Sequence, residues 1–511
     1  MSATISISEK LFTSIRINYL LYLFVFFAGL LGPLGFAPFH LPGFTILSLA
    51  FLYAAILRSP IEQSPILGFI YGMAYFGLGV SWVIISIHDY GHIHYIFAGI
   101  LTILFIMYLA LYPAGVAFLF KLLRVEQYTL LASITFSALW CLSEYMRSYF
   151  MTGCPWLLVG TSLIDTPVKY LAPILGINGL SFLGAFTASL LVASQREQTL
   201  KRFAYLFFFL FILVGPTALK NYQWTTISKQ PISIGAIQAN LSMRDKWDEQ
   251  LFWQLLNLYE KAIDKLLGKQ LIILPESAIP IPERYISDYI AKLSAKAKKA
   301  NSGLIAGTLQ PVDNEGTTSY YNAILSLGQA KGSHIKYQLV PFGEYIPRPF
   351  VAANRWLNLP QPNIVPGPYD QGLIEVDGHP FATLICYEVA YPHLLSLQMP
   401  EAQWIVSLSD NGWFGKSLAS FQQLQMSQML SLLTGRYQVV VNNDGLSAII
   451  NNQGDIVTAL PAFSAGVLQG ELFPASGTTP WLNWSDYPVI IFCSLFIIFI
   501  LILRLRYFRQ Q

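Results

Sequence analysis

Long apolar runs fill most of the first 220 positions, give way to short alternating segments, and return once before the chain ends. A run of about 20 apolar residues matches the ~30 Å hydrocarbon thickness of a bilayer when helical. Such runs lie at about Ile17–Leu34, Leu41–Leu57, Pro65–Ile87, Tyr95–Phe120, Tyr128–Leu142, Val168–Ser194, Phe203–Ala218 and Tyr487–Leu503. The pattern therefore predicts an eight-helix transmembrane bundle, its second and fifth members short. Gly32-Pro33 and Ala37-Pro38 predict a tight hairpin between the first two.

Between Asn221 and Asp486 the period changes. Short β-rich runs recur at Ile232–Gln238, Leu271–Leu274, Gly303–Thr308, Ala323–Ser326, Ala382–Cys386, Trp404–Leu408, Val439–Asn442 and Ser447–Ile450, with helical stretches at Asp248–Lys265, Ile286–Ala300 and Phe421–Arg436. Strands alternating with helices and hairpins predict sheets covered by helices. The expected organisation is a transmembrane domain of seven helices over residues 1–220, an external α/β domain over 221–486, and an eighth helix with a basic tail over 487–511.

Composition agrees. Only 12% of the 511 residues are charged, against about 25% in ordinary soluble domains, so much apolar surface must lie in lipid. A net charge of +3 without a Lys/Arg cluster argues against nucleic acid. Cations fall on one side of the predicted spans: Lys10, Arg16, Arg58, Lys121, Arg124, Arg196, Lys201, Arg202, Arg504, Arg506 and Arg509. The other short loops carry Arg147 and Lys169, with Lys220 just past the seventh run. The positive-inside rule then places both termini in the cytoplasm and the α/β domain outside. The first apolar run lacks an A-x-A-like cleavage site and is expected to stay in the chain.

Three polar positions end apolar strands in the α/β domain: Ile272-Ile-Leu-Pro-Glu276-Ser-Ala-Ile-Pro280, Ile335-Lys336-Tyr-Gln-Leu-Val-Pro-Phe-Gly-Glu344-Tyr345, and Phe381-Ala-Thr-Leu-Ile-Cys386-Tyr387-Glu388. Singly, each has an ordinary explanation as a solvated strand end, a loop lysine or a packing thiol. Together they make a chemical set. A cysteine attacks a carbonyl as thiolate, a carboxylate can take its proton, and an ammonium with a backbone N–H, such as that of Tyr387, can hold the oxyanion.

Glu, Lys and Cys in this order and framing resemble the nitrilase superfamily, and the membrane segments narrow the resemblance to the apolipoprotein N-acyltransferase family. The resemblance covers nearly the whole chain. It includes Gly35-Phe-Ala-Pro38, Gly79-Val-Ser-Trp82-Val, Thr152-Gly-Cys-Pro-Trp156-Leu, Ala239-Asn-Leu-Ser-Met-Arg-Asp-Lys-Trp247 and Trp413-Phe-Gly415. It implies an α-β-β-α sandwich with Glu276 as base, Lys336 as oxyanion stabiliser and Cys386 as acyl-accepting nucleophile. Glu344 would support the lysine, Tyr387 and Glu388 would shape the site, and Trp247 would face substrate. The implied reaction moves a fatty acyl chain from a phospholipid, with phosphatidylethanolamine the expected donor, through a thioester to the α-amino group of a diacylglyceryl-cysteine apolipoprotein. No metal or organic cofactor is implied. Ser409-Asp410-Asn411-Gly412-Trp413 departs from the family's commoner Ser-Asn-Asp-Ala-Trp, which leaves this pair without an assigned role.

A lipid substrate also explains the membrane. Exposing about sixteen carbons to water costs ~0.8 kcal/mol per methylene, so the site should open sideways onto the bilayer. Phe350–Pro368, with Trp356, Leu357 and Leu359, is either a lid dipping into lipid or a loop packed on its own domain. Arg147 could meet a headgroup phosphate. Trp156 is either substrate-facing or an interfacial anchor, and Trp247 is either a substrate contact or a packing residue. Two other classes use the same features less fully: a membrane-anchored amidase, and a transporter with an external binding domain. Membrane-buried ionisable residues, the usual mark of an ion path, are nearly absent from the runs.

Overall fold

A computed structural model of the chain describes residues 7–508, except 92, 315–316 and 357–362. The α/β part is built on two six-stranded sheets. One runs Gly466–Leu472, Ile232–Gln238, Leu271–Ile273, Gly303–Asn314, Thr317–Gly328, His334–Ile335; the other runs Ile456–Ala459, Ala448–Ile450, Gln438–Asn442, Ile405–Ser409, His379–Ile385, Ile374–Val376. Their apolar faces meet, Ile234, Ile273 and Ile305 of one against Phe381, Val406 and Val439 of the other, all fully buried. Helices Phe252–Asp264 and Ser287–Lys299 cover the outer face of the first sheet through Leu256, Ile263 and Leu293.

The helix on the other side, Leu418–Thr434, is buried almost all round. One side of it packs on the second sheet and the other on the helical region, so Met429 and Leu433 share a core with Val159, Leu163 and Leu180. The central strands of each sheet run parallel: Ile232–Gln238 with Leu271–Ile273 and Gly303–Asn314, and His379–Ile385 with Ile405–Ser409 and Gln438–Asn442. Parallel strands gather their carboxyl ends at one edge, where α/β sheets bind ligands.

The expected eight spans are not what the helices provide. Among the described residues, four helices are long and apolar enough to cross a membrane: Tyr95–Leu123, Pro167–Arg196, Thr199–Leu219 and Tyr487–Arg506. A fifth is reached only by joining Ser64–Gly79 to Val83–Tyr90 across a 66° bend. The run read as one span at Pro65–Ile87 is thus broken after Gly79. Pro42–Arg58 has 17 residues, about 25 Å at 1.5 Å per residue. Thr129–Tyr149 is long, but Ser133, Thr135, Ser137, Glu144, Arg147 and Ser148 dilute its apolar character; all are buried against protein. Apolar run length did not separate lipid-facing helices from helices buried in protein.

Helices Ser64–Gly79 and Tyr95–Leu123 touch backbone to backbone. A Cβ at Gly68 would sit 2.4 Å from the Pro113 carbonyl oxygen, whereas one at Gly77 would meet nothing within 4 Å. Small residues permit such close approach where helices pack in lipid. Gly68→Ala should therefore lower thermal stability in detergent by about 1–3 kcal/mol, the usual cost of overpacking. Gly77→Ala serves as the silent control in the same melting experiment.

Candidate active site

Glu276, Cys386 and Asp410 each stand just beyond a parallel strand, at the ends of Leu271–Ile273, His379–Ile385 and Ile405–Ser409. Lys336 follows the short edge strand His334–Ile335. The topology thus brings both sheets' strand ends together, and the three residues singled out from sequence converge. Glu276, Lys336 and Cys386 are 6%, 1% and 6% exposed.

Lys336 Nζ lies 2.9 Å from Glu344 Oε1 and 3.5 Å from Glu276 Oε1. Asn322 Nδ2 donates to both carboxylates, at 2.7 Å to Glu276 and 3.2 Å to Glu344. The other Glu344 oxygen accepts from the Val340 N–H at 2.7 Å, which closes the Val-Pro-Phe-Gly turn on the lysine. Glu276 Oε2 accepts from the Asp410 N–H at 2.9 Å. A cation flanked by two carboxylates and tied by an amide is a charge network whose members hold one another in place.

Burial pushes the Glu276 carboxyl above the ordinary carboxylate range; Lys336 opposes this and Glu344 adds to it. Burial would lower Lys336, but the charges of Glu344, Glu276 and Cys386 outweigh it and hold the ammonium on. The Cys386 thiol is pushed well up by burial and by Glu276, with Lys336 pulling the other way. A raised carboxyl beside a raised thiol and a fixed cation suits proton exchange between acid and sulfur, with the cation left for an oxyanion.

Backbone strain marks the same place. Cys386, Ser277 and Phe342 have φ of 53°, 49° and 64° without being glycine. Such left-handed residues cost of order 1–3 kcal/mol each and persist where surrounding contacts hold them. Gly307 is needed beside them, since a Cβ there would stand 2.4 Å from the Ser277 nitrogen.

Glu388 fastens the lysine segment to the cysteine strand. Its Oε1 accepts from the Tyr337 and Gln338 N–H groups at 2.7 and 3.1 Å, and its Oε2 from the Ile385 N–H at 2.7 Å. His334 Nε2 stands 3.6 Å from that same oxygen. Burial works against the carboxylate, but His334 and these N–H donors hold it below the usual range.

The helical region closes the site from below. Trp156 is buried and lies parallel to Tyr387, ring centres 6.4 Å apart. Its Nε1 donates to Gln422 Oε1 at 2.7 Å. The Tyr387 hydroxyl donates to the Gly153 carbonyl at 3.2 Å. Arg147 is buried, and its Nη1 is held by the Cys154 and Trp156 carbonyls at 2.6 and 2.7 Å, so it shapes this loop. Trp247 is 45% exposed. Trp356 ends the helix Val351–Trp356, but its side chain, with Leu357 and Leu359, lies outside the described residues.

Sequence reasoning gave no role to Asn322, Lys246 or Asp410. Lys246 Nζ donates to the Glu276 carbonyl at 2.7 Å and pairs with Asp410. Asp410 offered a signal, a charged residue directly after the apolar strand Ile405–Ser409. Lys246, among Arg244, Asp245 and Asp248, and Asn322, inside a strand, offered none.

Two layers of sheet with a buried Glu-Lys-Cys set at their strand ends define a carbon–nitrogen hydrolase-type domain seated on apolar helices. Comparison with known proteins is specific. The carbon-nitrogen hydrolase family profile matches residues 233–478, and the apolipoprotein N-acyltransferase N-terminal domain profile matches residues 28–190. Apolipoprotein N-acyltransferase of Azotobacter vinelandii is 37% identical over 471 residues, covering 90% of this chain and 91% of that protein. That of Coxiella burnetii is 35% identical over 481 residues, covering 93% and 98%. A solved nitrilase-superfamily structure from Saccharomyces cerevisiae has 18% identity and a TM-score of 0.37, covering 49% of this chain and 93% of its own. The chain belongs to the apolipoprotein N-acyltransferase family.

Glu388→Gln turns an amide N–H₂ toward groups that are themselves donors. Denaturation should show a loss of about 1–3 kcal/mol, the cost of an unsatisfied buried group. The depressed carboxyl adds stability above the unfolded carboxylate value of about 4.3, and that stability is lost as pH falls through the folded value. Acid titration of stability should therefore be shallower in Glu388→Gln than in wild type.

Proposed function

We propose that Cys386 accepts the acyl chain as a thioester, with Glu276 as the proton carrier and Lys336 as the oxyanion's partner. The enzyme is a membrane-located N-acyltransferase that uses phospholipid and lipoprotein precursors as substrates. One observation carries the residue assignment: a buried carboxylate–ammonium–carboxylate cluster shares the strand ends with the strained Cys386, closed from below by side chains of the helical region.

In the first step Glu276 takes the Cys386 proton and the thiolate attacks the ester carbonyl of the phospholipid. Lys336 and the Tyr387 N–H hold the tetrahedral oxyanion. Collapse breaks the acyl–oxygen bond, and the departing lysophospholipid oxygen receives the proton from Glu276. In the second step the precursor's α-amino nitrogen attacks the thioester, Glu276 receives a proton from it, and Cys386 leaves and is reprotonated. Glu344 keeps Lys336 charged and aimed. Exclusion of water protects the thioester; the burial of all three groups supports this and disfavours an amidase that discharges to water.

Trp156, stacked below Tyr387, is a contact for the acyl chain in this reading. Trp247 faces substrate from the exposed arm, Arg147 sets the loop that a headgroup meets, and Trp356 belongs to a lid. Phosphatidylethanolamine is the donor we infer, from the family resemblance. We also infer that the α/β domain, residues 221–486, is periplasmic and that both termini are cytoplasmic. Arg196 reaches the Glu126 carbonyl and Lys121 pairs with Glu126, which gathers the cations at the helix ends remote from the site. The positive-inside rule makes that end cytoplasmic.

Incubating the purified protein with a fatty-acyl phospholipid should add one acyl mass, removable by hydroxylamine, and Cys386→Ala should add none. An adduct of undiminished yield on Cys386→Ala would falsify the nucleophile. Because Glu276 must be ionised to take the proton, thioester formation should fall as pH drops through its raised value. Single-turnover rates should place that acid limb above the ordinary glutamate value of about 4.3. A limb at or below it removes Glu276 as base.

A further inference from the structure

We infer that Lys246 and Asp410 form a positioning pair that holds the catalytic carboxylate of Glu276 from behind, an inference that rests on the reading of Glu276 as base. Lys246 is 2% exposed and Asp410 is equally buried, 164 residues away in the chain. Their side chains form an ion pair with no solvent around it. Two charges are costly to bury unless further hydrogen bonds complete them. Those bonds are present, and they converge on one residue.

Lys246 Nζ donates to the Glu276 backbone carbonyl at 2.7 Å. The Asp410 N–H donates to Glu276 Oε2 at 2.9 Å. Glu276 is therefore gripped at its main chain by one member of the pair and at its carboxylate by the other. The Asp410 carboxylate is fixed in turn by the Asn443 amide at 3.1 and 3.2 Å and by the Gly412 N–H at 3.1 Å. Asn443 Nδ2 also reaches the Leu241 carbonyl at 2.9 Å, on the segment that leads into Lys246. The pair closes a loop of contacts around the base.

This arrangement divides the carboxylate's two oxygens. Oε1 faces Lys336 and Asn322, while Oε2 is turned to the Asp410 N–H. The charged or titratable groups facing Glu276 are Lys336, Glu344, Cys386 and Asp410, with Lys246 at its main-chain carbonyl. Of these, Asp410 alone has its charge balanced by a cation outside the reacting set. Removing one partner therefore changes the field at Glu276 with a sign that depends on which is removed.

The test is single-turnover acylation by a fatty-acyl phospholipid across the acid range, using full-length protein in detergent. Asp410→Asn removes an anion and frees the Lys246 charge, so the acid limb should move to lower pH. Lys246→Met leaves the anion unbalanced, so the limb should move to higher pH. Both variants should lose at least about ten-fold in the plateau acylation rate while KM for phospholipid stays within about two-fold, and Lys246→Arg should recover part of the rate. Shifts in the same direction, or two folded variants with wild-type profiles, overturn the proposal.

Should either single variant fail to fold, the neutral pair Lys246→Met with Asp410→Asn replaces it. Positioning requires that this double variant fold and still lose the rate, because the Glu276 carbonyl has lost its donor. A wild-type rate, or failure to fold even when both charges are gone, makes the pair a folding element and overturns the inference. Glu276→Gln separates the two levels. If it keeps full activity, the assignment of the base fails; if it is inactive while the pair's variants behave as wild type, only the positioning inference fails.

Discussion

A lysine held charged in the dry interior between two carboxylates is the constraint on which the site depends. Each of these ions is expensive to take out of water, and each alone would be neutralised by burial. They persist because every member is completed by others: Lys336 by Glu344 and Glu276, and both carboxylates by the Asn322 amide. The network has few ways to relax, so its geometry is fixed before substrate arrives. Preorganisation of this kind lets a fixed charge stabilise a developing oxyanion without reorganisation at the moment of reaction.

The fold supplies what the charges cannot supply themselves. Two sheets packed face to face align the carboxyl ends of Leu271–Ile273, His379–Ile385 and Ile405–Ser409 at one edge. At that edge the chain must turn, and it turns through strained residues. Cys386 is left-handed, and Glu388 two positions on binds back to the Ile385 N–H. The same carboxylate accepts from Tyr337 and Gln338, so one side chain fixes the Cys386 and Lys336 segments relative to each other. Strain at the cysteine and satisfaction at the glutamate are parts of one local arrangement.

What could be read from sequence follows from how local each signal is. Glu276, Lys336 and Cys386 end apolar strands within a few residues, and the strand-to-turn change is written in adjacent positions. Asn322 joins two carboxylates from mid-strand, 46 residues from Glu276, and neighbouring residues hold no trace of it. A longer separation, 164 residues, hides the Lys246–Asp410 pairing. Strands Ile374–Val376, Ile456–Ala459 and Gly466–Leu472 were missed because they are short or lie at sheet edges, with Ile456 and Val457 exposed. The membrane count failed for a different reason. An apolar run reports what a helix avoids, which is water, and does not distinguish lipid from protein. Thr129–Tyr149 buries Ser133, Thr135, Ser137, Glu144 and Ser148 inside the helical region, and the Ser64–Tyr90 run bends between Gly79 and Val83.

That bend shows why the α/β domain and the helices work as one body. At the break, Gln422 of the buried helix donates to the Gly79 carbonyl at 3.1 Å and accepts from Trp156 and Trp82 at 2.7 and 3.2 Å. Just beyond it, the Tyr90 hydroxyl donates to the Gly412 carbonyl and Ser86 to the Trp413 carbonyl, both at 2.7 Å. Gly412 follows Asp410, whose N–H holds Glu276; Trp156 lies on Tyr387, which follows Cys386. Glu276 and Cys386, the pair proposed to exchange a proton, are thus braced, within two residues, by the broken helix and the loop beside it. An uninterrupted helix would carry its backbone past this seam with every N–H and C=O spent on itself. The break frees carbonyls such as that of Gly79 for the α/β domain.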